Sequence, residues 1–132
     1  MDMSQGGYKD LIAWKKAMEL LAIYDVTDGF PPHELYGLMS QLRRAAVSVP
    51  SNIAEGKAHY SNRDFVRFLR HARGSLAEIE TQVAIAEMRQ YLPPEKSDQI
   101  AHQTDELGRI LSGLINSLEG EKPRASGIGT QD

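Results

Sequence analysis

Apolar residues recur every three or four positions through most of the chain and nowhere alternate strictly with polar ones, a pattern that predicts helices and no strands. The longest repeat is Phe65, Leu69, Ala72, Leu76, Ile79, Val83 and Ala86, a heptad seam. It predicts a helix over Ser61 to Gln90, roughly 45 Å long at 1.5 Å per residue. Ser61 stands where an N-cap belongs, with Asp64 answering three residues on. Upstream, Leu11, Trp14, Met18 and Leu21, widened by Ile12 and Ala22, predict an amphipathic first helix over Lys9 to Asp28. Trp14 is read there as a core residue rather than a stacking platform. Leu35, Leu38, Leu42, Ala46, Val49 and Ile53 predict a second helix opened by His33 and Glu34. Ile100, Leu107, Ile110, Leu111, Leu114 and Leu118 predict a fourth, which Gly120 stops. The breaks at Gly29 to Pro32, Gly56 to Tyr60 and Pro93-Pro94 are short and force antiparallel neighbours. The expected fold is all-α, an up-down-up-down antiparallel four-helix bundle over residues 8–120, with residues 121–132 as a disordered tail.

The second helix carries residues that a plain helix does not want. Beside its apolar stripe runs a polar one, Gln41, Arg44, Ser48, Asn52 and Glu55, at the same spacing. Pro50 removes a backbone N–H and presses on the carbonyl of Ala46, which predicts a kink near Val49, and Gly56 is expected as a left-handed stop. Two readings of the polar stripe stand side by side. Ser48 and Asn52 could satisfy the carbonyls that the proline frees, with Arg44 and Glu55 pairing to neighbouring helices; alternatively, the stripe is a binding or subunit contact.

The run RRAAVSVPSNIAEG, preceded by YKDLIAWKKA and followed by GSLAEIETQ, resembles the bacterial four-helix-bundle family named for the intervening sequences of large-subunit ribosomal RNA genes. The similarity covers roughly Tyr8 to Leu118. It implies four antiparallel helices and a ring-like homo-oligomer, a homopentamer, and it implies no reaction. A branch related to that family, the accessory variability proteins of diversity-generating retroelements, binds nucleic acid and a reverse transcriptase through basic surfaces.

The third predicted helix offers more apolar surface than its seam. Gly74, Ala77, Thr81, Ile85 and Met88 lie opposite the seam and are too small or too apolar for a face meant only for water. They are expected to form an oligomer contact, the alternative being that they meet the first or fourth helix of their own bundle.

Composition narrows the chemistry. The 132 residues suffice for one core, 41% are hydrophobic and 25% charged, and there is no cysteine for a disulfide or thiolate metal site. A reducing cytoplasm is the expected compartment, since neither a signal-like start nor a membrane-length apolar run is present. The formal net charge of −3 argues against a generic nucleic-acid coat, yet its distribution is uneven. From Arg43 to Arg73 seven Lys/Arg face two acids, a balance of +5. Arg63, Arg67 and Arg70 share a helical face, and Arg43 and Arg44 come from the antiparallel neighbour. Such guanidinium forks suit the phosphates of RNA or DNA, and they equally suit solvation or the acids of a neighbouring subunit. There is no aromatic-rich single-strand platform and no base-reading motif, so binding by backbone and shape, to structured RNA or duplex DNA, is expected.

An enzyme is not expected. The Glu-x-x-His pairs of a carboxylate di-metal bundle, a phosphate loop and a nucleophile motif are all missing. Glu55 and His59 straddle the expected stop at Gly56, and the His102–Glu106 pair reads as a solvated contact, so no metal or cofactor is called for. Two functions remain: an oligomeric scaffold that binds protein partners, and a nucleic-acid-binding accessory factor partnered with a reverse transcriptase.

Overall fold

The computed structural model describes residues 7–120, and among them it contains helices and turns with no strand. A 3-10 turn at Tyr8–Asp10 leads into α1 (Ile12–Glu19), which tightens through Leu20–Ala22 and continues as α2 (Ile23–Thr27). Both junctions keep right-handed helical backbone, so α1 and α2 make one rod. Another 3-10 turn, Pro32–Glu34, precedes α3 (Leu38–Lys57), followed by α4 (Asn62–Met88) and α5 (Pro94–Gly120). The four rods form the expected up-down-up-down bundle. Its broadest interface joins α3 to α4; α5 packs on α4, and α1 touches both α3 and α5. No helix among the described residues is long and apolar enough to cross a membrane. The tail expected at 121–132 lies outside the described residues.

The heptad seam of α4 is buried throughout, from Phe65 to Ala86. It meets Leu42, Ala46, Val49 and Ile53 of α3 and Leu107, Leu111 and Ile115 of α5 in one core. The first rod differs from expectation. Its core face is Ala13, Ala17, Leu20 and Ile23, while Leu11, Trp14 and Leu21 are only partly buried and Met18 is exposed. The larger side chains were the obvious stripe, but the alanines are the ones that let this rod approach α3 and α5 closely. Leu35 lies before α3 and is exposed, because the backbone from Pro32 to Gly37 forms turns rather than the first turns of the helix.

Three chain-level devices set the geometry. Gly56 is not a left-handed stop: it is buried within α3 and no glycine among the described residues has a positive φ. A Cβ there would stand 2.7 Å from Phe68 Cβ and 3.0 Å from Phe65 Cδ1, so hydrogen at this position lets α3 lie against the first turns of α4. At the other end α4 stops before its prolines, through Gln90 at φ 64°. There Tyr91 N–H donates to Ala86 O and Gln90 N–H to Glu87 O, both at 2.9 Å, a Schellman closure on a residue other than glycine. The start of α3 is held by Glu34, which accepts from the Leu38 N–H at 2.9 Å and from the Tyr91 hydroxyl at 2.8 Å. The Leu38 bond first, and then the Tyr91 bond, hold the Glu34 carboxyl below the ordinary glutamate range.

Ser61 caps α4 as expected, accepting from Asp64 N–H at 3.1 Å. The reciprocal half of the capping box is replaced by an ion pair: Asp64 Oδ1 lies 3.6 Å from Arg67 Nη2. Across Pro50 the helix continues, with the proline ring buried in the bundle.

Candidate functional site

The outer face of α4 is divided along its length. Toward its N-terminus, Arg63, Arg67 and Arg70 join Ser61, Asp64 and His71 around one open depression of about 860 Å³. Arg67 lies over the Phe68 ring at 4.5 Å as well as beside Asp64. Arg70 pairs with Glu119 of α5 at 2.8 Å, and Arg63 makes no ion pair among the described residues. Both Arg67 and Arg70 remain about half exposed, so these pairs are surface contacts that a stronger anion can displace.

The other two arginines stand elsewhere. Arg43 Nε donates to Thr27 Oγ1 at 2.8 Å, while Nη2 donates to Asp28 Oδ1 at 2.7 Å and to the Tyr24 carbonyl at 3.1 Å. Its guanidinium also covers the Tyr24 ring at 4.8 Å, fastening α3 to the end of the first rod. Ser48 faces Ser75 across the antiparallel pair, which sets Arg43 about 15 Å along the bundle axis from Arg70. Arg44 lines a separate recess with Gln41, Ser48, Glu78 and Gln82. The expected patch of five arginines therefore reduces to three. Antiparallel order placed the helices as neighbours, but the register of α3 on α4 separates the two groups.

Beside those three arginines the turn after α3 brings an aromatic group that the linear order concealed. The His59 ring lies 4.9 Å from Phe68, and Phe68 lies 6.1 Å from His71. Tyr60, next to Ser61, is fully exposed. A carbonyl can only accept, so His59 Nδ1 donates its hydrogen to Glu55 O at 2.8 Å and turns Nε2 away from that bond. The signal available in the sequence was the Phe68–His71 spacing on one helix, opposite a His-Tyr pair in the turn.

The polar stripe of α3 faces α4. Ser48 Oγ and Ser75 Oγ are 2.8 Å apart, Asn52 Nδ2 donates to Ser48 O at 2.8 Å and to Ser48 Oγ at 2.9 Å, and Gln82 Nε2 donates to Gln41 Oε1 at 3.3 Å. The acceptor that Pro50 leaves without a donor is Ala46 O, whereas Asn52 serves Ser48. The stripe thus ties α3 to α4 instead of repairing the proline. Glu55 is exposed and takes no side-chain part in this network. The recess around Ser48 and Asn52 shares Arg70 and His71 with the basic depression, and shares Ser48 and Glu78 with the recess at Arg44. A continuous polar trough follows the α3–α4 seam.

Toward its C-terminus the same outer face of α4 turns apolar. Gly74, Ala77, Thr81, Ile85 and Met88 are all exposed, with Ile85 at 43% and Met88 at 83%. No helix of their own bundle covers them, so the alternative of an internal contact is overturned. A smaller apolar groove, about 240 Å³, lies between Tyr8, Trp14, Met18 and Leu21 on one side and Val47 and Pro50 on the other. Of the pair read as a solvated contact, His102 is exposed and Glu106 pairs with Lys16 at 3.4 Å. Among the described residues no group of three His, Asp or Glu gathers where it could hold a metal ion.

Residues 9–113 match the family described as 23S rRNA-intervening sequence protein, a match that spans most of the chain. The chain belongs to that family. Among solved structures, a protein of unknown function from the S23 ribosomal protein family of Bacteroides thetaiotaomicron is similar over 79% of this chain and 98% of its own, at 20% identity and a TM-score of 0.70. That likeness establishes the shared fold. No curated protein matches the chain. Membership of the 23S rRNA-intervening sequence protein family gives no catalytic role, and the Arg63–Arg67–Arg70 depression and the Ile85–Met88 face are features read from this chain's own residues.

Proposed function

We propose that the chain is a non-catalytic assembly protein that associates with copies of itself through the outer face of α4 and acts as a scaffold for protein partners. The observation that carries this reading is the exposure of Ile85 and Met88 on a helix whose neighbouring outward positions, Gly74, Ala77 and Thr81, are small. Small residues allow backbones to approach, and large exposed apolar side chains gain most from being covered. In the proposed assembly this face meets a different surface of the next copy, a head-to-tail contact that forms a ring when its rotation closes; a homopentamer is the proposed count. Ile85→Glu should dissociate the assembly in sedimentation velocity while the circular dichroism of each bundle stays helical. A wild-type protein that sediments as a 14.7 kDa monomer at micromolar concentration overturns the proposal.

A second reading is favoured by the depression at Arg63, Arg67 and Arg70: contact with the phosphate backbone of RNA or DNA, in the manner of an accessory factor to a reverse transcriptase. Three arginines give weak affinity alone, but a ring repeats them, and avidity then strengthens binding by ~10² when one strand spans several copies. The net charge of −3 opposes this, so binding should fall steeply with salt. The combined Arg63→Glu, Arg67→Glu and Arg70→Glu variant should lose binding at ~50 mM salt while remaining oligomeric. Absence of wild-type binding under those conditions removes this second reading and leaves the scaffold.

A further inference from the structure

We propose that the basic depression at the start of α4 is a site for single-stranded nucleic acid, where unpaired bases stack on Tyr60 and His71 while the arginines hold phosphates. This rests on the polyanion reading above and adds to it a class of strand. Arg63, Arg67 and Arg70 spread over two helical turns, about 10 Å, along one side of the depression. His71 lines it directly, and Tyr60, the residue before Ser61 of that lining, has its whole ring in solvent. His59 lies tilted against the buried Phe68 ring, with 4.9 Å between centroids. Phosphate-binding forks interleaved with exposed flat rings are what a strand with splayed bases uses, because every base offers a π face whatever its identity. In a duplex the bases are stacked on one another, and these rings would have nothing to bind.

Two carboxylates oppose the strand. Asp64 shares the depression with Arg67, and Glu119 occupies Arg70. An incoming phosphate must displace Glu119 to engage Arg70 fully, so removing that carboxylate strengthens binding.

The test is fluorescence anisotropy of the full-length protein at ~50 mM salt with three probes of ~12 nucleotides: a thymidine strand, an abasic strand with the same sugar-phosphate backbone, and a duplex. The thymidine strand should bind about tenfold tighter than the abasic one, the effect of one or two stacked bases. Tyr60→Ala with His71→Ala should bring it down to the abasic level without changing abasic binding, and Tyr60→Phe, which keeps the ring, should retain wild-type affinity. Glu119→Gln should tighten both single strands. Equal binding of all three probes, indifferent to Tyr60 and His71, overturns the single-strand site and leaves the polyanion reading standing. Failure to bind any probe overturns both.

Discussion

Replacing Gly56 by alanine sets two opposing effects of known size against each other. In a helix interior alanine is favoured over glycine by about 1 kcal/mol, so the change alone should stabilise α3. The added methyl, however, would lie 2.7 Å from Phe68 Cβ, 3.0 Å from Phe65 Cδ1 and 3.3 Å from Phe65 O. Neither a Cβ nor a backbone oxygen can rotate away, so α3 and α4 must separate along the broadest interface of the bundle. Overpacking of this kind costs about 1–3 kcal/mol, and the absence of a flexible neighbour places it near the upper figure. The net expectation is a loss of about 2 kcal/mol, or ~8 °C in Tm for a domain of this size. Gly113→Ala in α5 is the internal control, since a Cβ there meets nothing within 4 Å and should stabilise. Urea unfolding followed at 222 nm, at one fixed protein concentration, separates the two. If Gly56→Ala raises the midpoint as Gly113→Ala does, the close approach of α3 to α4 is refuted.

Gln90→Gly should stabilise the bundle by about 1 kcal/mol, because glycine takes the left-handed conformation at the end of α4 without the strain a Cβ brings; the midpoint of thermal unfolding reads it. Glu34 ties stability to pH. Its folded pKa is depressed, so its contribution is fully present above the ordinary glutamate value and is lost as pH falls through the folded one. Glu34→Gln should therefore be less stable than wild type near neutrality, with the difference shrinking in acid. A gap that stays constant from neutral pH down through the carboxylate range would show that the charge of Glu34 is not what holds Leu38 and Tyr91.

What the sequence disclosed follows from periodicity. Heptad spacing put all seven seam residues of α4 in the core, and proline and glycine punctuation located the three connections closely enough to give the topology. The failures have a common origin in geometry between helices. Trp14 and Met18 outranked Ala13 and Ala17 in hydrophobicity, yet rod-to-rod distance favoured the small residues. Gly56 resembled a terminator in the linear order, although its use is steric and depends on Phe68 twelve residues away on another helix. The arginines illustrate the same point at the candidate site: composition counted five, while register left Arg63, Arg67 and Arg70 together and sent Arg43 and Arg44 to other surroundings. His59 and Tyr60 come from the turn after α3 and His71 from α4, a combination that periodicity along a single helix does not register.

Arg43 shows the difference between a charge and a shape. With Asp28 at 2.7 Å it forms a short dipole, whose field dies away faster than that of a lone cation, so a distant polyanion barely senses it. Its worth lies in one planar group reaching Thr27, Asp28 and the Tyr24 carbonyl at once while covering a ring. A lysine at this position would leave every tally of net charge unchanged and would still unfasten the corner, because an ammonium cannot fork.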